Sequence, residues 1–313
     1  MSGARLGVVI NPTAGHGRGA SRGRDVMTAV RRRGHTVIDL SATDLASATQ
    51  HARQAVVEGL DALVVVGGDG MVHLGANVVA GTTLPLGIVA GGSGNDIARA
   101  MGLPQHDVAG SVRAIEGGLE SGGRPVDAVL TGPPDYSAHE WFLGVLSCGI
   151  DAAANARANE MTWPRGGGRY VRALASVLSR FEPYGYRIVM DDVVWESAGT
   201  LVAVANTPWF GGGIKIAPDA ELDDGLLDVV VAGPFSKAGV VRIFPGMYAG
   251  RHVHHPSVKV FRSRSVLIEH STIGPRPPAA FADGERLGPL PLRAEVQPGA
   301  VRLLGGAARP GST

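Results

Sequence analysis

Three short runs that are apolar at every position constrain this chain most: Leu6–Ile10, Ala62–Val66 and Leu86–Val89. A strand with one wet face alternates apolar and polar residues. A run apolar throughout suits a strand covered on both faces, as in a parallel sheet flanked by helices. Helical spacings lie between the runs. Gly19–Arg33 ends at Gly34, where a C-cap glycine belongs, and a helix capped by Asp44 runs to about Glu58 and closes at Gly59. His35–Leu40 reads as another strand. This alternation predicts an α/β domain over residues 1–127, a parallel sheet with helices on both faces.

Beyond about residue 125 the pattern changes. Glu140–Cys148, Tyr186–Met190, Val193–Trp195, Thr200–Ala205, Leu226–Ala232, Ser257–Phe261, Val266–Glu269 and Val301–Leu304 read as strands. Val189–Val194 reads as a hairpin turning at Asp191-Asp192. Helices are expected over about Gly168–Phe181 and Lys237–Phe244. The expectation is a β-rich, antiparallel, sandwich-like second domain over 128–305, then a flexible Gly/Pro/Ser-rich tail over 306–313. A length of 313 residues suits two domains.

Composition excludes several classes. A net charge of +1 leaves no bulk electrostatic footprint for nucleic acid. Cys148 is the sole cysteine, so neither a disulfide framework nor a cysteine zinc site is available, and a core role is simplest. No uninterrupted apolar stretch reaches the ~18 residues of a membrane span. The N-terminus lacks the apolar h-region of a signal peptide. A soluble, cytoplasmic protein is expected.

Each apolar run ends in a polar, glycine-rich turn: Asn11-Pro12-Thr13-Ala14-Gly15 onward, Gly67-Gly68-Asp69-Gly70, and Gly91-Gly92-Ser93-Gly94-Asn95-Asp96. Carboxyl ends of parallel strands are where α/β folds bind ligands. Glycines let backbone approach phosphate, and amides at a helix N-terminus supply donors. A bare carboxylate would repel phosphate unless a cation bridges them, so Asp69 implies Mg²⁺ or proton transfer; the alternative is a simple helix cap. Three such turns on one sheet edge favour a nucleotide site. Gly15-x-Gly17-x-x-Ala20 with Asp39 mimics a dinucleotide fingerprint, but Asn11–Ala14 intervenes where a tight turn is required. No P-loop motif occurs.

With these turns the sequence resembles the diacylglycerol kinase catalytic family, bacterial lipid kinases related to sphingosine and ceramide kinases. Asn11-Pro-Thr-Ala-Gly15, Gly67-Gly-Asp-Gly-Met71 and Ala90-Gly-Gly-Ser-Gly-Asn-Asp96 stand for its three N-terminal motifs. Gly211–Gly213, Asp224-Gly-Leu-Leu-Asp228 and Asp283-Gly284-Glu285 match its later ones.

The resemblance implies an N-terminal domain similar to NAD kinase and phosphofructokinase, with ATP in an interdomain cleft. ATP would be held by Asn11, Pro12, Thr13, Ala14, Gly15, Thr43, Gly67, Gly68, Asp69, Gly70, Ser93, Gly94, Asn95 and Asp96. Glu285 would be the general base toward the acceptor hydroxyl, with Asp283 beside it and Asp69 as competing base and metal partner. Asp224, with carbonyls of Glu221 and Leu226, would hold a structural Mg²⁺. Read alone, both Asp-Gly pairs are equally turn signals. The implied partners are ATP and a lipid alcohol, diacylglycerol first, met during transient peripheral visits to a membrane surface; a homodimer is compatible with all of this. Sphingoid-base, ceramide-like and NAD acceptors stay open.

The chain departs from the family where Met71, His73 and Leu74 stand for a hydroxyl, an amide and an acid, and where Ala90 replaces proline. A catalytically weak nucleotide or lipid sensor therefore stays open. Arg165, Arg169, Arg172 and Arg180, around Tyr170 and Phe181, read as a solvated helix face or as contacts to anionic headgroups. Trp209-Phe210 reads as a core pair or an acyl cleft. His252, His254 and His255 read as a polar strand face, without acids at ligand spacing.

Overall fold

A computed structural model describes residues 3–161, 163, 167–191 and 193–306. Arg165 and Asp192 lie outside the described residues, as do the side chains of Arg169 and Tyr170 and, apart from Gly306, the expected tail. The chain divides into two compact units, Met1–Ala128 with Pro298–Thr313, and Val129–Gln297.

The first unit alternates β1 (Arg5–Ile10), α1 (Ala14–Gly17), α2 (Gly19–Arg32), β2 (Thr36–Asp39), α3 (Leu45–Val57), β3 (Ala62–Gly67), α4 (Asp69–Val79), β4 (Leu86–Ala90), α5 (Asp96–Ala100), α6 (Val108–Ser121) and β5 (Arg124–Gly132), which leads out of it. The strands run parallel in the order β2-β1-β3-β4. All six residues of β3 and all five of β4 are buried, the two-sided covering their composition predicts. Helix α2 sets Val26, Met27 and Val30 into this core. Asp44 caps α3 as expected, accepting from the Ser47 amide at 2.8 Å. Gly122, with φ +81°, ends α6 in the left-handed region that favours glycine.

The second unit contains β6 (Glu140–Phe142), β7 (Val145–Gly149), α7 (Ile150–Glu160), α8 (Gly167–Ser179), β8 (Tyr184–Met190), β9 (Val193–Gly199), β10 (Leu201–Ala205), β11 (Trp209–Phe210), β12 (Ile214–Lys215), β13 (Leu227–Ala232), α9 (Lys237–Met247), a 3₁₀ turn (Arg251–His254), β14 (Val258–Ser263), β15 (Ser265–His270), β16 (Ala280–Ala282), β17 (Glu285–Gly288) and β18 (Leu292–Leu304). One antiparallel sheet has the order β14-β13-β10-β7-β16-β17. A second set of ladders joins β18, β15, β8 and β9.

Strand alternation decides which residues meet which core. On β10, Val202 and Val204 pack with Ile188, Val266 and Leu292, sheet on sheet. Leu201, Ala203 and Ala205 face the opposite way, with Phe235 and Val240, while Leu174 of α8 packs against that cluster. The unit is therefore a β sandwich with helices over one outer face, and β10 is apolar throughout because both its faces are covered. The 189–194 hairpin forms with Met190 opposite Val193. Asp191 fixes its turn by accepting from the amides of Arg264, at 2.7 Å, and Ser265, at 3.2 Å.

Three differences from the sequence expectation have physical causes. The expected strand over Glu140–Cys148 is broken at Leu143-Gly144, whose amides are engaged elsewhere. Helix α7 was not foreseen because it buries the small residues Ala152, Ala154 and Ala158 and shows no apolar stripe. The expected second domain ran to 305, whereas Pro298 onward groups with the first unit, where Leu303 and Leu304 pair in parallel with Leu86 and Gly87.

Candidate functional site

The glycine-rich turns of the first unit meet at the carboxyl edge of its sheet. Asn11 follows β1 and donates its amide to Val66 O at 3.0 Å, which ties the first turn to β3. Its Oδ1 accepts from the Thr13 amide at 3.0 Å and from Thr13 Oγ1 at 2.8 Å. Pro12 O accepts from the Ala20 amide at 3.3 Å, seating the start of α2 beneath the turn. Ala14 and Gly15 open the short α1, and Gly15 has φ +59°. A Cβ there would stand 2.6 Å from Gly91 O. One on Gly92 would stand 2.4 Å from Gly68 Cα, and the Gly91 amide donates to Gly67 O at 2.7 Å. Neighbouring turns are thus in backbone contact, which only glycine allows.

Asn95 is 2 % exposed and left-handed, with φ +55°. Its Oδ1 accepts from the Gly92 amide at 2.8 Å, and its Nδ2 donates to Gly92 O at 3.0 Å. Asp96, buried, pairs with Arg99, which also donates to Gly94 O at 3.2 Å. Asp69 opens α4 immediately after Gly68, with Gly70 next to it, and its Oδ1 accepts from the Ile97 amide at 3.2 Å. Ser93 and Thr43 are exposed, the latter donating to Asp44 at 3.3 Å. Sequence reasoning missed Arg22, whose Nη1 donates to Gly91 O at 3.0 Å. Its signal is weak, one arginine among several on a helix. Met71, His73 and Leu74 are buried in α4, and Met71 packs against Gly67.

This edge offers glycine amides, the N-terminus of α4 and one carboxylate, which fits a polyphosphate with Mg²⁺. Among the described residues no three His, Cys, Asp or Glu side chains gather into a metal cage. A Mg²⁺ here would be held by Asp69 and phosphate oxygens, the arrangement this ion commonly takes with nucleotides.

In the second unit, Asp283 and Gly284 join β16 to β17 with φ +51° and +90°, both left-handed as a type I′ turn requires, and Ala282 faces Glu285. The Asp283 carboxylate accepts from the amides of Leu143, at 3.0 Å, and Gly144, at 2.9 Å. It anchors the hairpin, leaving Glu285 as the half-buried carboxylate at its tip.

Asp224 accepts from the Leu226 amide at 2.9 Å and pairs with Arg262. Burial raises the nearby Asp228 carboxyl to about 6; Arg262 opposes this, while Asp224, Asp219 and Glu221 add to it. Arg262 thus pairs with Asp224 and also lies 3.9 Å from Asp228. Among the described residues no three acidic side chains gather here into a cation cage, and a Mg²⁺ at Asp224 with the carbonyls of Glu221 and Leu226 would have to displace Arg262.

Between β10, β13, α8 and α9 lies a small apolar cavity of about 50 Å³. Leu174, Phe210, Phe235, Ile243, Phe244 and Met247 line it. Phe210 packs against the apolar cluster that encloses this cavity, as a core residue does. Polar residues at the wall are Asp151, Thr200 and His252. Burial raises Asp151 to about 6, although Ser147 and the first amides of α7 favour its ionised form. His252 is buried in the 3₁₀ turn and not on the expected polar strand; among the described residues it joins no cation-binding cluster, and its Nε2 contacts Ile216 O at 2.9 Å.

Comparison with known proteins agrees with both units. Residues 5–131 match the diacylglycerol kinase catalytic domain model, and residues 144–305 match the YegS C-terminal NAD kinase beta sandwich-like domain model. A diacylglycerol kinase of Mycobacterium tuberculosis is 35% identical over 304 residues, covering 96% of this chain and 94% of the relative. One from Bacillus subtilis is 24% identical over 277 residues, covering 85% and 86%. The crystal structure of a diacylglycerol kinase from Bacillus anthracis str. Sterne shares the fold, with a TM-score of 0.70, 22% identity and 97% of each chain covered. The converging glycine turns, the sandwich and these similarities across nearly the whole chain show that it belongs to the diacylglycerol kinase family of lipid kinases.

Proposed function

We propose that this chain transfers the γ-phosphate of ATP to a lipid hydroxyl, with diacylglycerol, giving phosphatidic acid, as the leading acceptor. The observation that favours a lipid acceptor over a soluble one is the aromatic and aliphatic lining of the second unit's cavity, which at about 50 Å³ takes an acyl chain only if its α9 wall moves aside. The turns Asn11–Gly15, Gly67–Gly70 and Ser93–Asp96, with Thr43, grip the nucleotide. Asn95 and Arg22 hold the third turn in place rather than touching phosphate. Glu285 accepts the acceptor's proton as its oxygen bonds to the γ-phosphorus, and the bond to the β-bridging oxygen breaks to release ADP. Asp283 positions that carboxylate through the hairpin. Asp69 would hold Mg²⁺, which would supply charge neutralisation on the phosphates. The buried Met71, His73 and Leu74 fill α4, so the family's polar groups there are replaced by packing.

Acceptor competition tests the reading. Labelled ATP is offered with diacylglycerol, ceramide, a sphingoid base and NAD, and the label is followed into each. Diacylglycerol is expected to take it. Label in NAD, or ATP binding without transfer to any acceptor, would overturn the proposal.

A further inference from the structure

From Val229 to Ile268 the chain contains Lys237, Arg242, Arg251, Lys259, Arg262 and Arg264 and no Asp or Glu. In a protein of net charge +1 this is a pronounced local excess. The structure folds part of the stretch into one surface. Helix α9 divides into three faces. Val240, Ile243, Phe244 and Met247 line the apolar cavity. Gly239, Arg242 and Gly246 line a surface groove whose other wall is Arg251, His254 and His255. No carboxylate lines that groove. On the remaining face Val241 is 60% exposed and Tyr248 is 52% exposed, one heptad apart and so on the same side of the helix.

Exposed apolar side chains beside an acid-free cationic groove match an interfacial helix on an anionic bilayer. The basic groups meet headgroup phosphates while Val241 and Tyr248 enter the headgroup boundary. Phe235, Ile243 and His252 line both the groove and the cavity, so the surface adjoins the apolar chamber. The geometry points to the α9 face, with Arg242, Arg251, Val241 and Tyr248 at its centre, as the surface by which this protein docks on anionic membranes. This inference rests on the lipid kinase reading for its purpose, not for its geometry.

The test is flotation of the full chain with phosphatidylcholine vesicles, with and without phosphatidylglycerol. Wild type should bind the anionic vesicles and release them in salt. Replacing Arg242→Gln together with Arg251→Gln should weaken binding about thirtyfold, the loss expected for two surface cations. Val241→Ser with Tyr248→Ser should also weaken it. A control with Arg31→Gln and Arg32→Gln on α2, exposed and of equal net charge, should bind like wild type. Equal loss in that control, equal binding to vesicles lacking phosphatidylglycerol, or binding of inorganic phosphate without vesicle binding would overturn the docking face. Phosphorylation of a short-chain, water-soluble diacylglycerol separates the two readings. The arginine pair should keep that activity and lose activity only on vesicle-borne acceptor. Vesicle binding by a chain that phosphorylates nothing would sink the kinase reading and leave the docking face standing.

Discussion

Asn95 clamps Gly92 by two hydrogen bonds, giving to its carbonyl at 3.0 Å and taking from its amide at 2.8 Å, while its own backbone sits at φ +55°. Asparagine is among the few side chains that tolerate this conformation and can offer both a donor and an acceptor there. Asn95→Asp loses the donor and places a charge in a buried site. It should cost about 1–3 kcal/mol of stability and raise the KM for ATP more than that for the acceptor. Thermal unfolding and steady-state kinetics check both parts.

Contact between Gly68 and Gly92 leaves no room for a side chain. Gly92→Ala would put a Cβ 2.4 Å from Gly68 Cα, a backbone atom that cannot swing aside. The two turns must separate, so nucleotide affinity should fall at least about tenfold, roughly 1.4 kcal/mol. Gly17→Ala is the comparison: nothing lies within 4 Å of its added Cβ, and only its φ of +86° resists. Calorimetric titration with ATP and Mg²⁺ should show the larger loss in Gly92→Ala.

Asp283 and Glu285, two residues apart, should separate in their effects. Asp283→Ala strands the amides of Leu143 and Gly144 and should lower both stability, by about 1–3 kcal/mol, and turnover. Glu285→Gln should leave the melting temperature within a degree or so of wild type and lower kcat by about 10²–10⁴. A Glu285→Gln variant with full kcat would remove it from the proton transfer.

Burial lifts the Asp151 carboxyl from 3.8 to about 6 in the folded chain. A folded value above the unfolded one means that folding is most favoured below about pH 4. The benefit is lost as pH rises through about 6. Asp151→Asn does not titrate. Its stability relative to wild type should therefore increase between about pH 4 and pH 8, by up to about 3 kcal/mol. Denaturant unfolding at the two pH values measures the difference, and a constant difference contradicts the assignment.

Much of the fold was legible because local rules and tertiary context agree. The buried strands β3 and β4, the Asp44 cap and the 189–194 hairpin each carry their own signal. So do the converging turns, since a parallel sheet brings its carboxyl ends to one edge. What was not legible depends on distant partners. The break at Leu143-Gly144 reflects Asp283, far along the chain. Grouping of Pro298 onward with the first unit depends on the pairing of Leu303 with Leu86. Helix α7 packs through alanines and gives no periodic stripe. Arg22 matters because Gly91 folds over it, which no local pattern announces.

The most direct test of the central claim follows γ-labelled ATP into mixed micelles of diacylglycerol with Mg²⁺, for wild type, Glu285→Gln and Asp69→Asn. The account predicts labelled phosphatidic acid from wild type and a loss of at least about a hundredfold in each variant. Equal labelling by all three proteins, or ATP binding with no label in any lipid, would contradict it.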